Sequence, residues 1–139
     1  MVYSARVLEY FLNPKHAYRM DQPDGIGVVG DPSCGDFFVM YIRVRGERLT
    51  EVSYQIFGCP AAIATCDAAA EMATGKTLDE AQRITDESVA EFLGGLPEMK
   101  LHCSNSAADA LHCAIVDYRV EAQGEEDQKT REVIEDATR

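Results

Sequence analysis

The fold is decided by residues 36–57, which read DFFVMYIRVRGERLTEVSYQIF. Apolar side chains recur at every second position on both sides of Gly46-Glu47, a pattern with the period of a β-strand. The apolar positions are Phe38, Met40, Ile42, Val44, Val52, Tyr54 and Ile56, and the polar positions between them include Arg43, Glu51, Ser53 and Gln55. The pattern predicts a β-hairpin of residues 36–45 and 48–57, with one buried face and one polar face.

The chain before the hairpin predicts one helix and a long connection. Residues 3–12 carry apolar side chains near helical spacing, with Ser4 at the start and Pro14 beyond the end. Residues 13–35 hold three prolines and four glycines, which indicates a loop with a short strand at 26–29.

The chain after the hairpin predicts helices only. They are expected at Pro60 to Thr74, Thr77 to Arg83, Asp86 to Leu93, and Ser104 to about Ala122. Strands followed by helices favour an α+β fold, in which the helices cover one face of a small antiparallel sheet. The length of 139 residues fits one domain. We assign residues 1–123 to it and residues 124–139 to a charged C-terminal tail, expected to be a frayed helix or disordered.

Composition excludes several classes of function. The net charge of −11 repels phosphate backbones, so we expect no nucleic-acid partner. No apolar run approaches the length of a membrane helix, and the first residues lack a secretory pattern. We therefore expect a cytoplasmic protein that does not enter the membrane. In that reducing compartment, the five cysteines are not expected to form a disulfide framework.

Three cysteines lie at predicted element boundaries. Cys34 lies in the glycine-rich loop before the hairpin, Cys59 follows the hairpin, and Cys103 precedes the last helix beside His102. Asp36 follows Cys34 by two residues, so an extended chain directs both side chains the same way. Thiolates are suitable ligands for zinc, Cu(I) and iron–sulfur clusters. Two alternatives compete with a metal site: cysteines that only fill the core, and a Cys103–His102 nucleophile.

The remaining cysteines and histidines and one glycine motif do not predict a further binding site. Cys66 is expected in the core, and Cys113 is expected to be partly exposed on the polar side of the last helix. His112 is expected to be solvated, and His16 carries no interpretation. Gly75-Lys76-Thr77 follows a helix instead of a strand, so it does not predict a phosphate-binding loop.

Several ordered motifs resemble the IscU/NifU family of iron–sulfur cluster scaffold proteins. The motifs are Gly30-Asp31-Pro32-Ser33-Cys34-Gly35-Asp36, Gly58-Cys59-Pro60-Ala61-Ala62-Ile63-Ala64, Gly75-Lys76-Thr77-Leu78-Asp79-Glu80-Ala81, and His102-Cys103-Ser104 with Ala108-Asp109-Ala110-Leu111. The resemblance runs from Tyr10 to Tyr118, and it looks more like stand-alone IscU than full-length NifU. It implies a small three-stranded sheet with helices packed on it.

The resemblance also implies a site and a role. The ligands of a transient [2Fe–2S] cluster would be Cys34, Cys59 and Cys103; Asp36 would keep the cluster labile, and His102 would be a nearby or alternative ligand. A scaffold of this kind is not an enzyme. A cysteine desulfurase would supply sulfur, and apo-proteins would receive the cluster. The competing hypothesis is a zinc-bound sulfur acceptor that uses the same residues.

Two further partners follow from the resemblance. The first is a second copy of this chain, in a homodimer that shares the cluster. A dedicated chaperone binds many members at the segment that reads Leu96-Pro97-Glu98-Met99-Lys100 here. Glu98 replaces the family's second proline, a departure from the segment that the chaperone recognises.

Overall fold

A computed structural model describes residues 3–31, 36–97 and 101–137 of the chain. At residues 31, 36, 101–105 and 125–137 only the backbone is described. The elements, in chain order, are α1 (Ala5–Leu12), β1 (Gly25–Asp31), β2 (Asp36–Arg45), β3 (Arg48–Phe57), α2 (Pro60–Ala73), α3 (Leu78–Gln82), α4 (Asp86–Phe92) and α5 (Leu101–Ala137). This order confirms the α+β prediction.

The sheet has three antiparallel strands in the order β1-β2-β3. The hairpin is confirmed with its predicted boundaries, and Met40 lies between Gly27 and Tyr54 across the sheet. Both turn residues have positive φ, 58° at Gly46 and 63° at Glu47. Two such residues match the right-handed twist of the strands that they connect. The predicted third strand is found, and it is longer than residues 26–29.

The core lies between one face of the sheet and the helices. Its largest fully buried side chains include Tyr54, Met40, Ile42, Leu111 and Ile115. The alanine-rich helix α2 is buried at ten of its fourteen positions, because it packs against α1, β3 and α5. Small side chains permit the close approach that such a central helix needs.

The polar face of the hairpin is less exposed than we predicted. Ser53 is fully buried, and Tyr41, its partner on β2, is 8% exposed. The connection from α1 to β1 crosses this face, where the Arg43 guanidinium donates to the backbone carbonyls of Asp21 and Gln22. Strand periodicity alone does not report which loop covers a face.

The last helix is longer than predicted. It begins at Leu101 instead of Ser104, and its backbone continues to Ala137, beyond the expected end near Ala122. The division into a domain of residues 1–123 and a tail of residues 124–139 stays a prediction. In the described part of the chain, no helix is both long enough and apolar enough to span a membrane.

Candidate metal centre

Cys59 lies where β3 passes into α2. It is the N-cap residue of α2, with extended backbone angles, and Pro60 occupies the first helical position. The Cys59 carbonyl accepts the first helical hydrogen bond from the Ile63 N–H at 3.1 Å. Its side chain is half-buried. The position before a helix is therefore confirmed, and the positive end of the helix dipole favours a thiolate there.

Asp36 lies at the same end of the sheet as Cys59. Its backbone begins β2 and pairs with Asp31, while the next residue, Phe37, pairs with Phe57 at the end of β3. Cys59 follows Phe57 by two residues. Cys34 and the other residues from 32 to 35 lie outside the described part of the chain.

The direction of α5 brings its N-terminus to this end as well. A Cβ placed on Gly25 would lie 2.4 Å from the Ala114 carbonyl oxygen, and one on Gly27 would lie 2.0 Å from that of Ala110. Helix α5 therefore runs opposite to β1. From Gly27 to the end of β1 the strand spans about 13 Å. From Ala110 or Ala114 back to Cys103, the helix spans about 11 to 16 Å. The Cys103 backbone consequently lies near the level of the strand end.

His102 and Cys103 occupy the first turn of α5, not the loop before it as we predicted. Only the backbone is described at His102, Cys103 and Asp36. Where side chains are described, no group of three or more His, Cys, Asp or Glu residues has an arrangement that could hold a metal ion.

The remaining cysteines are placed as expected. Cys66 is 1% exposed in the core, and Cys113 is exposed on α5. Gly75 has a φ of +87°, and Thr77 caps α3 through reciprocal hydrogen bonds with Glu80. The Gly75-Lys76-Thr77 motif is therefore explained by a helix start.

His112 and His16 both contact groups on other segments of the chain. His112 is half-buried, and its Nε2 lies 2.8 Å from the Ile84 carbonyl oxygen, so the prediction of a solvated side chain was wrong. Its partner Ile84 lies in the connection between α3 and α4, and a contact across 28 residues does not follow from helix periodicity. His16 Nε2 lies 2.6 Å from Glu71 Oε2, within hydrogen-bond distance.

One buried polar group was not predicted from the sequence. Asp67, on α2, is fully buried, and its Oδ1 accepts hydrogen bonds from the backbone N–H groups of Lys15 and His16 and from the Tyr54 hydroxyl. Burial, followed by the charge of Asp67, raises the pKa of Tyr54. The available signal was an acidic residue inside an alanine-rich helix, because a buried charge requires partners.

Comparison with known proteins agrees with this architecture. Residues 2–125 match the family described as the NifU-like N terminal domain. The iron–sulfur cluster assembly scaffold protein IscU 1 of Archaeoglobus fulgidus is 53% identical over 84% of this chain and 76% of its own length. The Escherichia coli protein named iron–sulfur cluster assembly scaffold protein IscU is 41% identical over 86% of this chain and 95% of its own length.

Solved structures show the same fold at lower sequence identity. A NifU-like N-terminal protein from Brucella abortus superposes with a TM-score of 0.69 at 18% identity, over 84% of this chain and 93% of its own. A SufU-type protein from Fervidobacterium islandicum, described as a putative scaffold, also reaches a TM-score of 0.69, at 19% identity, over 81% of this chain and 96% of its own. From the family match and the identities of its relatives, this chain belongs to the IscU/NifU family, and it contains the NifU-like N-terminal domain.

Proposed function

We propose that this protein is a scaffold on which a transient [2Fe–2S] cluster is assembled and then transferred to apo-proteins. The observation that supports the proposal is that Cys59 and Asp36 lie at one end of the sheet, while α5 runs opposite to β1 and so directs its first turn, with Cys103, towards that end. The names of the relatives support the same role.

The proposed protein ligands are Cys34, Cys59 and Cys103, with Asp36 or His102 as the fourth. Cys34 follows Asp31 by three residues and precedes Asp36 by two, and two residues of chain reach about 7 Å at most. Two of the thiols lie at helix N-termini, where unpaired N–H groups favour negative charge. Such thiolates bind iron and accept sulfur more readily than thiols.

Release of the cluster is the second requirement of a scaffold. Four thiolates would hold a cluster firmly, whereas a carboxylate is a harder and poorer ligand for its iron. We propose that Asp36 makes the cluster labile. A protein that binds a cluster and releases it is not an enzyme, and the relatives are named as scaffolds.

The partners follow from this role. A cysteine desulfurase would transfer sulfane sulfur to one of the thiolates as a persulfide, and an electron donor would reduce it to the sulfide of the cluster. Iron–sulfur apo-proteins would receive the cluster, in the cytoplasm. A homodimer around a shared cluster remains a prediction. Chaperone recognition also remains a prediction from the sequence, because residues 98–100 lie outside the described part of the chain.

The alternative is a zinc-bound sulfur acceptor on the same thiolates. The thiolate ligands suit either metal. The IscU relatives are named as cluster assembly scaffolds, so the comparisons give the zinc hypothesis no better support.

Anaerobic reconstitution with ferrous iron, cysteine, a cysteine desulfurase and a thiol reductant, which supplies the electrons for sulfide, tests the function. We expect a brown protein with acid-labile sulfide and equal amounts of iron and sulfide. Cys34→Ser, Cys59→Ser and Cys103→Ser should each lose the cluster, whereas Cys113→Ser, which alters an exposed thiol on α5, should retain it. A colourless protein with one zinc and no sulfide would instead favour the zinc-bound sulfur acceptor.

A further inference from the structure

The connection after α1 contains five residues without a buried side chain. Residues 13–17, here called the strap, are exposed except for the half-buried His16. Fully buried Val7 precedes the strap in α1, and Met20 beyond it is 3% exposed. A segment without buried apolar contacts has low local stability, while its ends stay anchored in the core.

Polar contacts hold the strap against the rest of the molecule. The N–H groups of Lys15 and His16 donate to Asp67 Oδ1 at 3.0 and 2.9 Å. The His16 carbonyl accepts from the Tyr54 N–H at 2.9 Å, and the His16 ring pairs with Glu71. Three of these four contacts involve α2 and one involves β3, so the strap bridges the two elements.

Asp67 is unusual among these partners because it is fully buried. Its Oδ1 accepts three hydrogen bonds, whereas Oδ2 is buried and has no hydrogen-bond partner among the described residues. Leaving a buried carboxylate oxygen unpaired costs stability. Opening of the strap would admit water to this oxygen, so the cost of lost hydrogen bonds is partly offset by hydration.

The strap covers one edge of the sheet beside the candidate metal centre. Its residues Pro14 and Ala17 line a cavity of about 360 Å³, whose other walls include Tyr54, Ile56 and Ile63. Ile63 donates to the Cys59 carbonyl and so belongs to the first turn of α2. Removal of the strap would therefore uncover the Tyr54 N–H and the side of α2 one turn from Cys59. An unpaired strand edge is able to pair with another chain, and a covering loop prevents this.

We propose that the strap opens locally without unfolding of the core, that Asp67 is the latch that closes it, and that opening uncovers the edge of β3 beside the start of α2. The inference concerns the metal-free chain and does not depend on the proposed function.

Native-state hydrogen exchange of the full metal-free chain tests the proposal. The amides of Lys15, His16 and Tyr54 should share one opening free energy that is smaller than that of the β2 amides, because a single event releases all three. Exchange of these three amides only through global unfolding would overturn the proposal.

Hydrogen exchange in a variant of Asp67 tests whether this residue closes the strap. Asp67→Asn places a buried amide NH₂ where Oδ2 lies, and should accelerate exchange of the three strap-linked amides about tenfold relative to β2. Thr65→Ala is the matched control: Thr65 is equally buried on α2, but its hydroxyl donates to Ala62 in the same helix. Equal acceleration of all amides in Asp67→Asn, or selective acceleration in Thr65→Ala, would contradict the latch.

Glu71→Gln provides a second variant in case Asp67→Asn does not fold. Its carboxylate is 40% exposed and contacts the strap through His16 alone among the described side chains. Replacement of the carboxylate by an amide weakens the contact with the His16 ring, so it should accelerate exchange of the same three amides about two- to fivefold and leave β2 unchanged. No selective change at Lys15, His16 and Tyr54 would overturn the strap as an independent unit.

Discussion

Gly27 on β1 lies directly against the Ala110 carbonyl of α5, so close that a Cβ on Gly27 would come within 2.0 Å of that oxygen. This approach is closer than that of Gly25, where a Cβ would lie 2.4 Å from the Ala114 carbonyl oxygen. It sets the distance and direction of α5 against the edge of the sheet. The first turn of α5, with Cys103, is thereby directed to the end of the sheet where Asp36 begins β2.

Gly27→Ala should lower the free energy of unfolding by about 2 to 4 kcal/mol, because a methyl group cannot enter between two backbones without displacing one of them. Urea denaturation followed by circular dichroism measures the change. Gly124→Ala is the control, since nothing lies within 4 Å of a Cβ at that helical position. It should be neutral or stabilising by up to about 1 kcal/mol. Wild-type stability in Gly27→Ala would contradict the packing of α5 on β1.

Tyr18 should contribute stability that depends on pH. Its hydroxyl donates to the Glu51 carboxylate, which also accepts from Arg43. Burial, followed by the hydrogen bond to Glu51, raises the pKa of Tyr18 from 10.0 to about 12. The hydrogen bond from Tyr18, followed by that from Arg43, lowers the pKa of Glu51 below its ordinary 4.5.

The sign of each shift sets the pH window. The raised pKa of Tyr18 stabilises the fold fully below about pH 10, and this contribution is lost as the pH rises towards 12. The lowered pKa of Glu51 stabilises above about pH 4.5, and this contribution is lost as the pH falls. Between about pH 4.5 and pH 10, Tyr18→Phe should therefore lower the free energy of unfolding by less than about 1 kcal/mol. Urea midpoints across pH measure the difference. A difference that persists unchanged as far as pH 12 would refute the hydrogen bond.

Thiol labelling should distinguish Cys113 from Cys66. Cys113 is exposed and should react with a maleimide in the folded protein at a rate near that of a free thiol, whereas Cys66 is 1% exposed and should react only when the chain unfolds. Mass spectrometry of the labelled peptides measures both rates. Protection of Cys113 in the native protein would contradict the orientation of α5.

Replacement of Asp36 should change the lifetime of a bound cluster. If the carboxylate weakens the site, Asp36→Ala should lengthen the half-life of the reconstituted cluster several-fold. The visible absorbance under anaerobic transfer conditions follows the decay. Asp31→Ala is the matched control, because Asp31 is the β1 partner of Asp36 at the same end of the sheet, and it should leave the half-life unchanged. Equal lifetimes in Asp36→Ala and wild type would remove this role from Asp36.

Local patterns predicted the hairpin and most helices well. The alternation around Gly46-Glu47 and the Pro60 start of α2 are short-range signals, and the structure confirms both. The environments of Ser53 and His112 were predicted wrongly, since each depends on a segment distant in the chain. Ser53 lies on the face crossed by the connection to β1, and His112 meets the Ile84 carbonyl.

For the candidate site, too, local sequence determined some features and tertiary packing determined others. The sequence by itself determined which residues offer thiolate, carboxylate and imidazole ligands, because side-chain chemistry and spacing are local properties. Only the tertiary structure decided that α5 runs against β1 and brings its first turn to the end of the sheet, because that direction depends on the fit of Gly25 and Gly27 against the helix backbone. The burial of Asp67 beneath residues 15 and 16 was decided likewise, since contacts across more than fifty residues follow from packing and not from sequence periodicity.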